Sequence, residues 1–326
     1  MRIGVIGPTW PDGFSAHIID ALAGMGHEAI PLGSASALGG PYTSRWAVPI
    51  RNAVPRAEEH MQFRIARAAA RARCEIVINI EAGLLPSVVR EMRRNGSKVA
   101  FWFPDHLANL GRQLMLLAPY DAVFFKEPHL VDRLSAVLDL PLFYLPEACH
   151  PRWHRPTVPG GTEPYLVLAG NMYPSRMLVL ERLLAKGIPL RLYGPGFPRW
   201  VGSTPLRDVH AGRCVFLEEK AQIFRSAAAV LNTMYPAEIN GVNARLLEAA
   251  GCGAAVLTEY RPAVADLFAV GTEVMVFHEF DELVSQAERL LSESGLTARI
   301  GDAAARRAHR DHTYGQRLAV ILEKLA

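Results

Sequence analysis

The stretch NGVNARLLEAAGCGAAVLT, residues 240–258, holds a loop, a helix and a strand in the order that decides the fold. Its polar, glycine-containing start leads into the apolar spacing of a short amphipathic helix, predicted over Asn243–Gly251. Gly251 and Gly253 end the helix, and the apolar run Ala254–Leu257 is typical of a strand buried on both faces. The stretch therefore predicts one repeat of an α/β fold with a parallel sheet.

The same alternation of apolar runs and amphipathic helices extends over most of the 326 residues. In the C-terminal half, strands are predicted at Tyr165–Ala169, Leu190–Tyr193, Cys214–Phe216 and Ala228–Asn232, with helices at Ser175–Ala185 and Glu219–Ser226 and a helical tail from Phe280. In the N-terminal half, strands are predicted at Ile3–Gly7, Glu75–Ile80, Lys98–Phe103, Asp121–Phe125 and Leu142–Leu145, with helices at Ser15–Met25, Pro86–Asn95 and Leu130–Leu138. The pattern predicts two Rossmann-like, doubly wound parallel sheets.

A segment dense in proline and glycine, PRWHRPTVPGGTEP at residues 151–164, separates the two series. It predicts an N-terminal domain over residues 1–150, a linker over 151–164 and a C-terminal domain over 165–326. We expect the two sheets to face each other across a cleft, because ligands of such folds bind outside the carboxyl ends of the strands. The terminal helix is long enough to pack back on the N-terminal domain.

Composition narrows the class of protein. The net charge of +3 and the pI near 8.7 permit an anionic ligand but disfavour a nucleic-acid binder, whose basic residues normally form a stripe. The clustered Arg64, Arg67, Arg71 and Arg73 are interpreted as a solvated helix face.

The cysteines and the absence of long apolar runs bear on the compartment. The four cysteines (Cys74, Cys149, Cys214 and Cys252) are scattered, which is typical of free thiols in a reducing compartment. The start of the sequence, MRIGVIGPTW, is a strand and a turn without the pattern of a secretion signal, and no apolar run approaches the roughly 20 residues of a membrane span. A cytoplasmic protein is therefore expected.

The helix predicted over Asn243–Gly251 carries the clearest binding chemistry. Its N-terminus offers unpaired backbone N–H groups and a partial positive charge, which suit a diphosphate. Arg245 lies in the first turn and can add a charge-assisted hydrogen bond. Glu248, five residues beyond Asn243, can accept hydrogen bonds from the vicinal hydroxyls of a ribose. The alternative interpretation is an ordinary amphipathic helix with one exposed Glu and a glycine cap, and the spacing alone does not separate the two.

Several motifs together resemble the CgeB-like, spore-maturation-type glycosyltransferases of the GT-B superfamily. The segment from Asn243 through Gly253, the preceding motifs AGNMYPSR (169–176) and LYGPG (192–196), YLPEA (144–148) and the closing HTYGQRL (312–318) carry the resemblance. It covers nearly all of residues 98–326 and only generically the first 97. The family implies a GT-B fold with a nucleotide-sugar donor bound by the C-terminal domain and an acceptor bound by the N-terminal domain.

The resemblance and the glycine-rich turns give a set of expected donor-binding residues. Gly194 and Gly196 end a strand and allow close approach of a base or ribose, and Arg176 follows a strand at a helix start, where it can point towards a phosphate, although a surface arginine is the alternative. The predicted donor-binding residues are Gly13, Gly170, Asn171, Arg176, Tyr193, Gly194, Asn240, Gly241, Val242, Asn243, Arg245 and Glu248.

One position departs from the wider superfamily. Many relatives carry E-x(7)-E, in which the first Glu contacts the donor sugar and the second the ribose; here Asn240 stands at the first position and Glu248 at the second. Asn240 can hydrogen-bond a hydroxyl but brings no negative charge, so the retaining mechanism of those relatives is not implied, and inversion or retention stays open. No D-x-D pair stands in a loop suited to a metal. We expect no metal and no cofactor, with Arg245, Arg176 and the helix dipole stabilising the leaving diphosphate.

Candidate catalytic residues follow two strands of the N-terminal half. Asp12 lies in the turn GPTWPDGFSAHI, where inverting GT-B enzymes place a catalytic His, but a turn-forming Asp before Gly13 is the alternative. His17 lies deeper in the following helix, which favours a half-buried structural role. Asp105, which resembles the Asp of the family's W-x-x-D segment, and His106 follow Phe103, with a helix N-cap or loop role as the alternative for each.

Weaker acceptor-side candidates complete the prediction. Glu81 is a further strand-end carboxylate. The polar stretch that contains Arg45, Trp46, Arg51 and Arg56 is suited either to an acceptor loop or to an unrelated surface loop.

The sequence thus predicts a glycosyltransferase that moves a sugar from a nucleoside diphosphate to an acceptor hydroxyl. A nucleotide-sugar epimerase or hydrolase, and a nucleotide-sugar-binding protein without catalysis, remain as alternatives. A nicotinamide-dependent dehydrogenase is disfavoured because the first turn is G-P-T-W-P-D-G and not G-x-G-x-x-G. The acceptor (small molecule, glycan, protein or modified DNA base), the sugar, the nucleotide base and the oligomeric state are left open.

Overall fold

The computed structural model describes residues 1–35 and 55–326. Arg45, Trp46 and Arg51 of the predicted acceptor loop lie outside the described residues, as does the side chain of Arg56. Contacts divide the chain into two compact units: unit 1 comprises Met1–Pro146 and Tyr314–Ala326, and unit 2 comprises Glu147–Thr313.

Unit 1 is a six-stranded, wholly parallel sheet with the strand order β2-β1-β3-β4-β5-β6. Its strands are β1 (Arg2–Ile6), β2 (Glu28–Gly33), β3 (Ile76–Asn79), β4 (Lys98–Phe103), β5 (Ala122–Phe125) and β6 (Leu142–Tyr144). Its helices, numbered along the described chain, are α1 (Phe14–Gly24), α2 (Pro55–Arg71), α3 (Pro86–Arg94), α4 (Pro128–Ser135) and, at the end of the chain, α12 (Tyr314–Leu325).

The core of unit 1 forms because its central strands are apolar on both faces. In β4 and β5 the side chains of Phe101, Trp102, Phe124 and Phe125 are at most 1% exposed. Helix α12 packs against α1, β4 and β5. Its Tyr314 ring lies 5.7 Å from the ring of Phe14 at the start of α1, so the end of the chain buttresses the first βα turn.

Unit 2 is a five-stranded, wholly parallel sheet with the order β11-β10-β9-β7-β8. Its strands are β7 (Glu163–Ala169), β8 (Leu190–Tyr193), β9 (Ala227–Asn232), β10 (Val256–Glu259) and β11 (Met275–Phe277). Its helices are α5 (Pro174–Ala185), α6 (Leu206–Val209), α7 (Leu217–Ser226), α8 (Ala244–Gly251), α9 (Pro262–Leu267), α10 (Phe280–Ser292) and α11 (Ser294–Asp311).

Small residues set the packing of α8 in unit 2. Ala249, Ala250 and Gly251 are buried, and a Cβ on Gly251 would lie 2.8 Å from Cβ of Cys149 and 3.0 Å from the carbonyl oxygen of His154. The helix can therefore lie close to its neighbours only without larger side chains at these positions. This packing holds the N-terminus of α8 at the carboxyl end of the sheet, next to β9.

The prediction of two parallel sheets with flanking helices is confirmed. The apolar runs locate the strands well, and Leu190–Tyr193 and Lys98–Phe103 are exact. The predicted strand Cys214–Phe216 is wrong: these residues form a loop that ends in α7, where Leu217 has a φ of +50°. Beside β8, the described residues form an isolated β-bridge between Leu192 and His210 instead of a further strand.

The strand β2 was not predicted, because its residues are exposed or half-buried and do not form the apolar run of a buried strand. β2 is an edge strand that contains Pro31; proline has no N–H to donate, and an edge strand tolerates this because one side of its backbone has no neighbouring strand. The solvated arginine face is confirmed, since Arg64, Arg67, Arg71 and Arg73 are all exposed. Within the part of the chain that is described, no helix is long and apolar enough to cross a membrane. The four cysteines are free thiols.

Candidate functional site

Two glycines form a bare backbone edge at the carboxyl ends of β7 and β8 in unit 2. Gly170 and Gly194 have φ values of +146° and +149°, a region that other residues rarely adopt. A Cβ on Gly194 would lie 2.3 Å from the carbonyl oxygen of Gly170, and a Cβ on Gly170 would lie 2.1 Å from Nη2 of Arg245. The turn after β7 thus brings main chain and a guanidinium together with no room for a side chain.

Arg245, in the first turn of α8, is fixed by two hydrogen bonds. Its Nε donates to the carbonyl oxygen of Ala169 at 2.6 Å, and its Nη1 donates to Oδ1 of Asn232 at 3.1 Å. These bonds tie the start of α8 to the ends of β7 and β9. Burial lowers the pKa of Arg245, an effect that nearby Glu248 and Glu238 oppose. The third guanidinium nitrogen, Nη2, is directed at the Gly170 turn.

Arg176, the third residue of α5, is 4% exposed and links segments of unit 2 through hydrogen bonds. Its Nε donates to Oγ1 of Thr233 at 2.8 Å, its Nη2 donates to the carbonyl oxygen of Thr233 at 3.1 Å, and its Nη1 donates to the carbonyl oxygen of Asn171. Burial, with a contribution from the charge of Arg245, lowers the pKa of Arg176 to about 9, so the group is still charged at neutral pH. The guanidinium groups of Arg176 and Arg245 therefore both lie beside the Gly170 turn. Most of the donors of Arg176 are used in hydrogen bonds within the protein.

The N-terminus of α8 adds a third source of positive potential. Asn243 is the N-cap, and its side-chain oxygen accepts from the backbone N–H of Leu246 at 3.4 Å. The residues before it, Gly241 and Val242, are buried, and Val242 is part of the apolar core. Asn240 is held by its carbonyl oxygen, which accepts from Ala263 N at 3.0 Å.

Glu248 lies one turn further along α8 and forms an ion pair that the sequence did not reveal. Its Oε2 accepts from Nζ of Lys220 of α7 at 2.9 Å, and its Oε1 lies 4.0 Å from Nε2 of His154. The Glu248 side chain keeps 16% of its surface exposed, whereas Lys220 and His154 are buried. The carboxylate is thus held in one place, and the side chain as a whole remains partly exposed.

Glu238 is a further buried carboxylate that the sequence did not single out. Its Oε2 accepts from the backbone N–H of Tyr235 at 3.0 Å, and its charge raises the pKa values of Arg176 and Arg245 against the effect of their burial. Its position, two residues before Asn240, does not match the E-x(7)-E spacing of the superfamily, so that pattern does not identify it. The sequence signals that Lys220 is buried only through its spacing. Lys220 stands four residues before the buried Phe224, on a helix face that is otherwise apolar.

The remaining predicted donor residues of unit 2 lie at the same sheet edge. Tyr193 is buried, with its hydroxyl accepting from Nε of Arg191 at 3.3 Å, and the carbonyl oxygen of Tyr193 accepts from Gly170 N at 2.9 Å. Asn171 is exposed, and its Nδ2 donates to the hydroxyl of Tyr173 at 3.3 Å. The fold of unit 2 therefore brings the C-terminal candidates together along the ends of β7, β8 and β9.

In unit 1, the first βα turn pairs two of the candidate residues. Asp12 has a φ of +62°, and its Oδ1 lies 3.0 Å from Nε2 of His17, with both side chains at most 5% exposed. His17 was expected to be half-buried; it is 2% exposed, and its Nε2 contacts the candidate base Asp12, while its structural role stays a prediction. Gly13, predicted to contact the donor, is the N-cap of α1; a Cβ there would lie 2.6 Å from the Trp10 ring.

A pocket of about 380 Å³ lies at the carboxyl ends of β1, β3 and β4. Asp105 and Glu81 both line it, whereas neither Asp12 nor His106 is among its described lining residues. Asp105 accepts from His106 N at 2.8 Å and from Nδ2 of Asn109 at 2.5 Å, and Glu81 accepts from Oγ of Ser34 at 2.6 Å. His106 is buried beside Asp105, with its Nε2 3.7 Å from Oδ1.

Comparison with known proteins defines the class of fold. Residues 176–323 match the family described as glycosyl transferase-like. No curated protein sequence matches the chain.

Solved structures align over almost the whole chain. Sucrose-phosphate synthase from Thermosynechococcus elongatus has a TM-score of 0.70 at 12% identity, covering 99% of this chain and 98% of that one. The HepE protein of Anabaena in complex with UDP has a TM-score of 0.70 at 12% identity, covering 99% and 100%. A glycosyltransferase involved in avilamycin A biosynthesis has a TM-score of 0.61 at 17% identity, covering 99% and 96%. The chain therefore has the fold of the GT-B glycosyltransferases, with a glycosyl transferase-like domain over residues 176–323.

Proposed function

We propose that the protein transfers a sugar from a nucleoside diphosphate to an acceptor hydroxyl, as a CgeB-like member of the GT-B glycosyltransferases. The observation that carries the proposal is the cationic turn of unit 2. There Arg245 Nη2 lies at the bare backbone of Gly170, beside Gly194 and the N-terminus of α8. Fixed positive charge, a helix N-terminus and a backbone without side chains together suit a diphosphate.

The donor is proposed to lie with its diphosphate at Gly170 and Arg245 and its ribose at Glu248. Glu248 supports this because one carboxylate oxygen is held by Lys220 while the group stays partly exposed. UDP is the first nucleotide to test, since HepE of Anabaena, which shares the fold, has been solved with UDP and with UDP-glucose. Arg245 and the helix dipole would stabilise the leaving diphosphate, and we propose that no metal ion is required.

Unit 1 is proposed to receive the acceptor at the sheet edge that carries the Asp12 turn and the 380 Å³ pocket. Asp12 is the preferred base because His17 holds its carboxylate at 3.0 Å, which fixes the orientation of the proton-accepting oxygens. Asp105 is the second candidate, because it lines the pocket directly. A reducing compartment, the cytoplasm, fits the four free cysteines.

Ligand-dependent thermal unfolding tests the donor site. UDP, ADP, GDP and their glucose conjugates are added to the purified chain, and a ligand at 100 times its dissociation constant is expected to stabilise it by about 2.7 kcal/mol. One nucleotide should raise the melting temperature of the wild type and of Arg306→Met, an exposed arginine of α11, but not that of Arg245→Met. A well-folded wild type that no nucleotide stabilises would overturn the proposal.

Turnover then separates transfer from the alternatives. Release of nucleoside diphosphate from the selected donor is measured with and without an acceptor panel, in the presence and absence of EDTA. A transferase releases it faster with an acceptor, and we expect EDTA to leave the rate unchanged. Release that no acceptor stimulates would indicate a hydrolase, and saturable binding without any release would indicate a nucleotide-sugar-binding protein.

A further inference from the structure

The pocket of unit 1 combines an aromatic surface and an acidic surface. Three aromatic side chains, Trp10, Phe14 and Phe103, form one part of its lining, and the carboxylates of Glu81 and Asp105 form another. Its volume of about 380 Å³ is near the low end of the roughly 300–1,000 Å³ usual for small-molecule sites. A ligand of the size of one or two sugar rings fits such a space.

The aromatic part is held in position. Trp10 is 50% exposed, and its ring lies against Gly13, where a Cβ would be 2.6 Å from Cδ1 of the indole. The Phe14 ring meets the buried Trp102 ring edge-on at a centroid distance of 4.6 Å. A half-exposed indole that packs on the backbone of Gly13 presents a flat apolar surface to a ligand. The C–H face of a pyranose is the complementary surface, whereas a linear chain would leave much of the ring uncovered.

The polar part accepts hydrogen bonds. Glu81 is oriented by the Ser34 hydroxyl and the Ala35 N–H, and Asp105 by the His106 N–H and the Asn109 amide. Carboxylates are pure acceptors, so they select ligands that donate, and sugar hydroxyls donate. Gln62, also on the lining, is fixed by a bond from its Nε2 to the carbonyl oxygen of Gly83 at 3.0 Å.

The charge of the pocket decides between acceptor classes. Among the lining residues that the structure describes, two are acidic and none is Lys, Arg or His. A phosphate or carboxylate on the acceptor would lie next to like charges, which disfavours it strongly. The opposite holds in unit 2, where the donor turn carries Arg176 and Arg245.

We infer that unit 1 accepts an uncharged sugar ring, stacked on Trp10 with its hydroxyls directed at Glu81 and Asp105, and that it discriminates against phosphorylated sugars. The inference rests on the proposed function for its catalytic meaning, but binding of the ring in this pocket is independent of the donor site.

Binding without nucleotide gives the first test. Saturation-transfer NMR is recorded with the methyl pyranosides of glucose, galactose and mannose and with the 6-phosphates of the same sugars. We expect signals from at least one neutral glycoside and from none of the phosphates, with the signals lost in Trp10→Ala and retained in Arg245→Met. A phosphate that binds as well as its neutral counterpart, or no binding by any sugar, overturns the inference even if UDP binds. Sugar binding without UDP binding would instead count against the proposed function alone.

Turnover with the selected donor gives the second test. A neutral glycoside is expected to exceed its 6-phosphate by about 50-fold in kcat/KM, the size of a like-charge penalty of a few kcal/mol. Glu81→Gln should reduce this ratio by about tenfold, because it removes one charge and keeps the shape. Glu91→Gln, the same change on α3 outside the pocket, should leave the ratio unchanged. Equal ratios in wild type and Glu81→Gln would overturn the electrostatic part of the inference, and melting temperatures verify that each variant is folded.

Discussion

The carboxyl edges of the two sheets have the same backbone plan and opposite chemistry. In unit 2 the first βα turn contains Gly170, is lined by Arg245 and leaves no room for a side chain. In unit 1 the corresponding turn contains Asp12 and Trp10, and the pocket beside it is lined by Glu81 and Asp105. The difference shows that the doubly wound fold supplies an edge where ligands bind, and that side chains from the turns, strand ends and helix starts at that edge decide whether it is cationic or anionic.

The way each turn is closed reinforces the contrast. In unit 1 the Ser15 hydroxyl donates to the carbonyl oxygen of Pro8, and a Cβ on Gly7 would lie 2.6 Å from the Ile80 side chain. The space inside the turn is therefore filled by Ser15 at the start of α1 and by Ile80 after β3. In unit 2 the closest group to Gly170 is a guanidinium, which is itself a ligand for anions. A single substitution at either turn should therefore impair ligand binding at that turn and leave binding at the other turn unchanged.

The largest effect is expected from the candidate base. Asp12→Asn keeps the size of the side chain but removes the proton acceptor, and we expect kcat to fall by about 10²- to 10⁴-fold, the usual contribution of a general base. Nucleotide binding, measured by thermal shift, should not change. Asp105→Asn is the matched variant at the pocket, and we expect it to raise the KM for the acceptor. If Asp105→Asn loses kcat while Asp12→Asn retains it, the roles of the two carboxylates are reversed.

The next largest effect is expected from the cationic turn of unit 2. Arg245→Met removes the charge at Gly170, and kcat/KM should fall by about 10²- to 10³-fold, as for loss of one preorganised donor to a developing anion. The same variant should lose the thermal shift with nucleotide. Retention of full nucleotide affinity in folded Arg245→Met would show that the cationic turn is not where the phosphates bind.

A smaller effect is expected from filling the bare backbone. Gly170→Ala introduces a Cβ that collides with Arg245 at a φ of +146°, so we expect about 1–3 kcal/mol of destabilisation together with weaker nucleotide binding. Gly187→Ala is the control, because its φ is also positive, at +77°, but no atom lies within 4 Å of the added Cβ. It should lower the free energy of unfolding and leave nucleotide affinity unchanged. Equal losses of affinity in both variants would mean that backbone strain, not the turn, governs binding.

A comparable effect on stability is expected from the support of Glu248. Lys220→Gln removes the charged partner at 2.9 Å, and the free energy of unfolding should fall by about 1.5–3 kcal/mol, the range for hydrogen bonds to charged groups. Because the two side chains form one pair, the double variant with Glu248→Gln should be more stable than the sum of the single changes predicts. Chemical denaturation of the four proteins measures this coupling, and strict additivity would contradict it.

Apolar periodicity predicted most of the fold because buried parallel strands are apolar on both faces. It succeeded at β4 and β8, whose bounds are exact, and it failed at β2, an edge strand with an exposed face. The predicted strand Cys214–Phe216 failed for another reason: Val215 is apolar because it fills the core of unit 2, not because it belongs to the sheet. Burial and strand pairing are separate properties, and composition reports only burial.

The candidate site was predictable where a residue acts through its place in a local turn. Arg245 and Asn243 lie at the start of a helix whose N-cap can be read from the sequence, and both are found there. The donor-contact role assigned to Arg176 stays a prediction, because its guanidinium is mostly engaged by Thr233 and Asn171, groups distant in sequence or on the main chain.

By itself, the sequence determined two parallel α/β sheets, the helix N-terminus with its arginine and the glycines of the cationic turn, because these depend on spacing within about ten residues. Only the tertiary structure decided the ion pair of Lys220 with Glu248, the pairing of Asp12 with His17 and the grouping of Glu81 with Asp105 beside Trp10. The charge of each pocket is the sum of side chains from several strands and helices, and the energy of such charges depends on distances that arise only when the sheet has formed.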